Sequence, residues 1–215
     1  MLRLNNICVN INNKKILDNI SLNIDKGEKV KICGSSGSGK STLLKCILLF
    51  ESAGIGIVEY NNNTVCEHNV ADFRLNFSYI SQKLPYYYET VKKFLYLPLN
   101  FKNNKSLIIN DELVKKYFDR FSLDIDLLNK KYNRLSDGEK QRVCIIQALF
   151  LKKDFMLLDE VTSNLDKKNK EKIVEIVCED RDRTVITASH DNCWDDICTR
   201  KILLVDGKIV KDTNK

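Results

Sequence analysis

Residues 34–41 read Gly34-Ser-Ser-Gly-Ser-Gly-Lys-Ser41, a match to G-x-x-x-x-G-K-[ST]. The apolar Val30-Lys-Ile-Cys33 before it reads as a short strand. Ser41–Phe50 after it, apolar and free of breakers, reads as a helix. Strand, glycine loop, helix is the setting in which this motif holds phosphate. Its glycines let the backbone curl so that successive N–H groups converge on phosphate oxygens, and the helix start adds partial positive charge. Gly34, Ser35, Ser36, Gly37, Ser38, Gly39 and Thr42 then form the cradle. Lys40 bridges the β- and γ-phosphates, and the Ser41 hydroxyl ligates Mg²⁺. A Gly/Ser loop can also be merely flexible, but the flanking elements argue against that. By itself the motif specifies a nucleoside triphosphate and no more.

A second feature lies downstream at Phe155-Met-Leu-Leu-Asp159-Glu160. An apolar strand that ends in two adjacent carboxylates needs a reason, because unpaired buried charge is expensive. A magnesium–water–phosphate site supplies one. Asp159 would hold Mg²⁺ from outside its directly bound ligands, and Glu160 would polarise the attacking water.

Around these two anchors the chain alternates strand and helix. Ile7, Val9, Ile11 and then Ile20, Leu22, Ile24 repeat with period two, which predicts two strands joined through Asn12-Asn-Lys-Lys15. Ile55–Tyr60, Phe77–Ser81, Asp154–Leu158 and Thr184–Ala188 read as further strands, and Lys167–Val177 as a helix with Ile173, Val174 and Val177 on one face. Lys201–Val210 is a hairpin whose Asp206-Gly207 pair suits a type I′ turn. From about Pro85 to Gln141 the pattern becomes helical, with Leu113, Val114, Tyr117, Phe118 and Phe121 at helical spacing. A largely parallel α/β sheet with a helical insertion is the expected result.

Composition fits an ordinary globular domain, with 43% hydrophobic and 30% charged residues in 215. No run approaches the roughly 20 apolar residues of a membrane span, and the start Met1-Leu-Arg-Leu lacks the layout of a secretion signal, so a cytoplasmic chain is expected. The eight cysteines include no Cys-x-x-Cys pair and neither histidine stands near a cysteine pair at ligand spacing, which favours buried reduced thiols over disulfides or zinc. A net charge of +6 from lysines scattered among acids shows no basic stripe, and nucleic acid is not an expected partner.

The segment Leu135-Ser-Asp-Gly-Glu-Lys-Gln-Arg142 precedes a helix, and Ser136 with Glu139 fits a capping box. Such a start is also an anion site. At this segment the chain resembles the ATPases of ABC transporters, whose signature usually reads Leu-Ser-Gly-Gly-Gln/Glu shortly before the acidic strand. The other family elements follow in order. Gln82 resembles the Q-loop glutamine, a Mg²⁺ and water contact. Ser163-Asn-Leu-Asp166 resembles the D-loop, and His190 resembles the switch histidine that contacts the γ-phosphate.

The resemblance implies a P-loop NTPase (RecA-like) core over residues 1–84 and 142–215 with an N-terminal antiparallel β-subdomain, plus a helical subdomain over 85–141 that carries the signature. It implies ATP and Mg²⁺ as ligands, Glu160, His190, Gln82 and Lys40 as catalytic groups, and Ser41, Gln82 and Asp159 around the metal. It also implies a homodimer or a paired ABC ATPase in which Ser136, Gly138 and Asp166 act in trans on the partner's nucleotide. A separately encoded integral-membrane permease would dock near Lys83-Leu-Pro-Tyr-Tyr-Tyr-Glu-Thr-Val91, placing the chain on the inner face of the membrane. The same motif stretches are similar to the small ATPase of the bacterial iron-export type. A non-transport ABC ATPase of similar size, such as a cell-division regulator, is the alternative; copurification with a polytopic membrane protein, or with a wall-enzyme regulator, separates the two.

Two positions depart from the family pattern. Ile11 stands where an aromatic residue usually stacks on adenine, which predicts weaker base discrimination. Asp137 replaces the first glycine of the signature, and it is expected to face solvent and reinforce the helix dipole.

Overall fold

The computed structural model describes residues 1–51 and 54–214. Strands β1 (Leu2–Ile11) and β2 (Lys14–Ile24) pair antiparallel. Asn12 and Asn13 alone make the turn, with φ of 49° and 61°, so the loop is two residues shorter than expected and Lys14 and Lys15 already belong to β2. Two positive-φ residues match the right-handed twist of the flanking strands, and Asn tolerates that conformation.

After β3 (Lys29–Cys33) comes α1 (Lys40–Ile47), which stops three residues before Phe50. Leu49 adopts φ 53° and the Phe50 N–H turns back to the Lys45 carbonyl at 2.9 Å. The Arg74 guanidinium then takes the carbonyls of Leu48 and Leu49, each at 2.8 Å. These bonds satisfy groups that every helix end leaves open, and apolar periodicity carries no sign of them.

Strands β4 (Ile55–Tyr60) and β5 (Asn63–Thr64) complete a four-stranded antiparallel sheet in the order β2-β1-β4-β5. Beyond the short helix α2 (Val70–Arg74) lies β6 (Phe77–Ile80). The helical region holds α3 (Val91–Tyr96), α4 (Asp111–Arg120) and single 3₁₀ turns, including Leu97–Asn100 with Pro98 in its first turn. It is therefore more broken than its periodicity suggests. Helix α5 (Asp137–Phe150) runs through the 141/142 boundary expected between helical subdomain and core.

The second sheet uses β7 (Phe155–Asp159), β8 (Thr184–Ala188), β9 (Arg200–Val205) and β10 (Lys208–Asn214), with α6 (Lys167–Cys178) between β7 and β8. Its order is β10-β9-β3-β8-β7-β6, parallel throughout except for β10 at the edge. β7 and β8 are buried along their whole length and β3 nearly so, as a sheet covered on both faces requires. Asp206 and Gly207, with φ of 46° and 75°, close the final hairpin as read from the sequence.

Two apolar cores result. One joins α1 to both sheets, with Leu43, Leu44 and Ile47 beside Leu4, Leu17, Ile32 and Phe155. The other packs α5 and α6 against α3 and α4, with Val143, Ile146 and Phe118 at its centre. None of the eight cysteines forms a disulfide. Four are buried, three are half-buried and Cys66 is exposed, so burial accounts for only part of the set. Among the described residues no helix is long and apolar enough to cross a membrane.

Candidate functional site

Parallel strands share an end. Because β6, β7, β8 and β3 are neighbours in that order, the segments leaving their C-terminal ends converge. Gln82 follows β6, Glu160 follows β7, His190 follows β8 and the glycine loop follows β3. They line one open cleft of about 580 Å³ with Gly34 to Gly37, Gly39 to Thr42, Ile16 and Ser163.

The loop is shaped by close approach. A Cβ on Gly34 would lie 2.2 Å from the Leu204 carbonyl oxygen of β9, a separation no side chain tolerates. The buried Ser38 is pinned through its backbone, its carbonyl accepting from the Gly207 N–H at 3.1 Å. Lys40 is buried and folds over its own loop, donating to the carbonyls of Gly34 at 2.9 Å and Ser35 at 3.1 Å.

Ser41 donates to Asp159 Oδ1 at 2.8 Å, and the Tyr79 hydroxyl lies 3.4 Å from Oδ2. Asp159 is only 2% exposed. Burial pushes its carboxyl above the usual carboxylate range, against the hydrogen bonds from Ser41 and Tyr79 and the positive field of Lys45 and Lys40. Burial and this neighbour also push the Tyr79 phenol up. A hydroxyl and a carboxylate oxygen side by side suit a hard cation such as Mg²⁺, which binds through one or two carboxylates plus substrate phosphates. Among the described residues no cluster of three histidines, cysteines or acids could hold a metal alone.

Glu160 adopts φ 54°, a left-handed conformation that costs a non-glycine residue roughly 1–3 kcal/mol and persists only when its surroundings enforce it. The surroundings do so. Its N–H donates to the Ala188 carbonyl at 2.9 Å, and its own carbonyl accepts from the Ser163 hydroxyl at 2.9 Å and from Gln141 Nε2 at 3.4 Å. The carboxylate lies between Lys40 and His190: Oε1 is 3.8 Å from Lys40 Nζ, and Oε2 is 2.9 Å from His190 Nδ1. The His190 contact is one of distance only, because Oε2 is buried without an aligned hydrogen bond. Electron density on Glu160 is thus presented beside the phosphate cradle, as base chemistry on a water requires.

The signature residues stand elsewhere. Ser136 caps α5 in the expected capping box, accepting from the Glu139 N–H at 3.3 Å while Glu139 Oε2 takes the Ser136 N–H at 2.8 Å. Neither Ser136 nor Gly138 lines the cleft. Asp137 is exposed in the single chain and sits 3.4 Å from Lys140 Nζ. Asp166 caps α6 on the surface, where bonds from Asn169 hold its carboxyl below the usual range.

Ile11 closes the β1–β2 turn, is 37% exposed, and is absent from the cleft wall; Ile16, five residues on, takes that place because β2 turns it toward the loop. Ile16 and Ser163 are cleft residues that the sequence did not single out. The first looked like one more apolar strand position, and the second was quoted only within the D-loop.

Comparison with known proteins bears on this arrangement. The sequence profile of the ABC transporter family matches residues 17–163. The chain is similar to the probable iron export ATP-binding protein FetA of Escherichia coli (strain K12), with 31% identity over 89% of this chain and 85% of that protein. It is 32% identical over its full length to the macrolide export ATP-binding/permease protein MacB of Campylobacter jejuni, but spans only 34% of that fused protein. A dimeric ATP-binding cassette solved in a post-hydrolysis state with ADP and phosphate superposes with a TM-score of 0.85 at 29% identity, covering 100% of this chain and 98% of that one.

Proposed function

The chain belongs to the ABC transporter family as an ATP-binding, ATP-hydrolysing subunit, and on that premise we propose how its residues divide the work. The observation that carries the proposal is the separation just described. Lys40, Ser41 with Asp159, Glu160, His190 and Gln82 meet in one cleft, whereas Ser136 and Gly138 open α5 outside it. Capped by its own Ser136 and Glu139, this helix start still offers first-turn N–H groups to an anion, and a second chain bound head to tail would bring one.

In this reading the loop 34–42 binds the triphosphate of ATP, and Lys40 moves from its own carbonyls to the β- and γ-phosphates. Ser41, Asp159 and Gln82 hold Mg²⁺, which when bound supplies charge neutralisation at the phosphates. Glu160 orients and polarises the attacking water, and His190 steadies the γ-phosphate. Ser136, Gly138 and Asp166 complete the partner's site in trans, and the base extends past Ile16 in the cleft wall toward Ile11 at the β1–β2 turn.

Tyr86 and Tyr88, 76% and 68% exposed with ring centroids 5.0 Å apart, are aromatic anchors suited to a membrane permease on the inner face of the membrane. Metal-ion export is the transported-substrate class we favour, by likeness to the iron-export relative. The macrolide-export relative is a reminder that cargo is chosen in the permease. We assign the helical unit to 85–141 and the core to 1–84 and 142–215, with α5 continuous across their boundary.

Glu160→Gln tests the catalytic assignment. It should retain nucleotide binding, slow hydrolysis by roughly 10²–10⁴, and accumulate an ATP-bound dimer on a sizing column. Near-normal turnover in that variant would reject the role given to Glu160.

A further inference from the structure

His190 is 65% exposed in its side chain, and among the described residues its polar contact is the unaligned approach to Glu160. Something other than its own bonds must set where the imidazole stands. The next residue is held on every side. The Asp191 N–H donates to Ser189 Oγ at the end of β8, at 3.1 Å. Its carbonyl accepts from Lys31 Nζ of β3 at 2.8 Å, and Lys31 is almost fully buried. Oδ2 accepts from the Thr162 hydroxyl, two residues beyond Glu160, at 2.6 Å. Oδ1 pairs with Lys170 Nζ of α6, also at 2.6 Å. Thr162 is itself fixed, since its hydroxyl oxygen accepts from the buried Trp194 indole at 3.3 Å. Burial works against the Asp191 charge, yet the bonds from Lys170 and Thr162 outweigh it and keep the carboxyl below the usual range.

We propose that Asp191 is a positioning residue for hydrolysis: by tying the segment after β8 to Thr162 and Lys170, it fixes His190 against Glu160. The inference rests on the hydrolytic role given above to His190. Four elements meet at one aspartate, and two of them touch the catalytic machinery from different sides. Thr162 follows Glu160 on the exit from β7. Lys170 lies one turn beyond Asp166, at the start of the helix whose cap is proposed to face the partner. A side chain that merely stabilised the fold would not need to join these particular segments. Asp191 reaches no part of the cleft and is not a catalytic residue.

The test uses the full-length protein with Mg-ATP and compares His190→Ala, Asp191→Asn and the double variant, with Lys170→Met and Lys170→Arg alongside. Asp191→Asn keeps the shape but removes the charge that Lys170 grips. It should lower kcat at least tenfold, the scale on which small misplacements of catalytic groups act, with KM and nucleotide affinity changed less than about twofold. In the His190→Ala background the same substitution should add less than about twofold, because both changes remove one function. Lys170→Met should imitate Asp191→Asn, whereas Lys170→Arg, which can still pair, should retain most of the activity. Should Asp191→Asn fail to fold, the half-buried Lys170 pair of variants decides the matter. Independent, multiplying effects of Asp191→Asn and His190→Ala would overturn the inference, as would an unchanged kcat or a loss confined to KM. Normal hydrolysis by His190→Ala would overturn both the inference and the role of His190, and so tells the two failures apart.

Discussion

Asp159→Asn should make the nucleotide-free protein more stable while removing its activity. Asp159 is 2% exposed and its carboxyl is pushed up by burial, so the fold disfavours its ionised form. Asparagine is nearly isosteric. Its Oδ1 still accepts from Ser41, and its amide can donate to the Tyr79 oxygen, which turns to accept. The bonds survive and the desolvated charge does not. Burying a polar group without full compensation costs about 1–3 kcal/mol in mutational data. Some of that is recovered from Lys40 and Lys45 in the wild type, leaving a gain of about 1 kcal/mol for the variant. For a chain of this size that is roughly 2–4 °C in Tm.

The pH dependence fixes the sign. The folded state keeps the Asp159 proton to a higher pH than the unfolded state, so wild-type stability falls as pH rises through that window. The variant has no such loss. Its advantage should therefore be full at neutral pH and fade as pH drops through the raised pKa toward the ordinary value of 3.8. Thermal melts in EDTA across pH 4–8, with Mg-dependent ATP turnover measured in parallel, check both halves. A variant less stable than wild type at neutral pH, or one with retained turnover, would refute the reasoning.

Two other substitutions probe the departures from the family pattern. GTP should compete with ATP to within about fivefold, and Ile11→Tyr should favour ATP by about 1 kcal/mol if position 11 borders the base; titrations showing a strong ATP preference unchanged by the substitution would assign the base contact to Ile16 instead. Asp137→Gly should change turnover less than about threefold, because the carboxylate is exposed and its partner Lys140 contributes little there; a large gain in turnover would mean that Asp137 faces the partner's phosphate.

The parts of the site legible in the sequence are those where local chemistry forces local residues. Gly34 must be glycine because β9 passes within contact of its Cα, and Ser136 with Glu139 announces a helix start without help from afar. The sequence marks the Asn12-Asn13 turn but not its end, since Lys14 and Lys15 read as polar loop although they open β2. The Ser41–Phe50 helix was overdrawn because its end is set by Arg74, far along the chain. The helical region looked more continuous than it is because periodicity does not register 3₁₀ turns at Pro98 or Tyr132–Arg134. Least legible was the linkage around Asp191. Its partners stand at positions 31, 162 and 170, and no spacing rule joins them; only the sheet order brings β3, β7 and β8 together.

Whether each ATP is held by two chains can be measured by mixing inactive variants. Lys40→Ala disables the cradle, and Ser136→Arg disables the signature; each alone should be without turnover. In an equal mixture about half of the dimers contain one of each chain. If the signature acts across the interface, such a dimer has one site with both defects and one intact site, and ATP hydrolysis returns. If cradle and signature serve the same chain, every chain in the mixture stays defective, and the absence of recovered hydrolysis in verified mixed dimers would contradict the account.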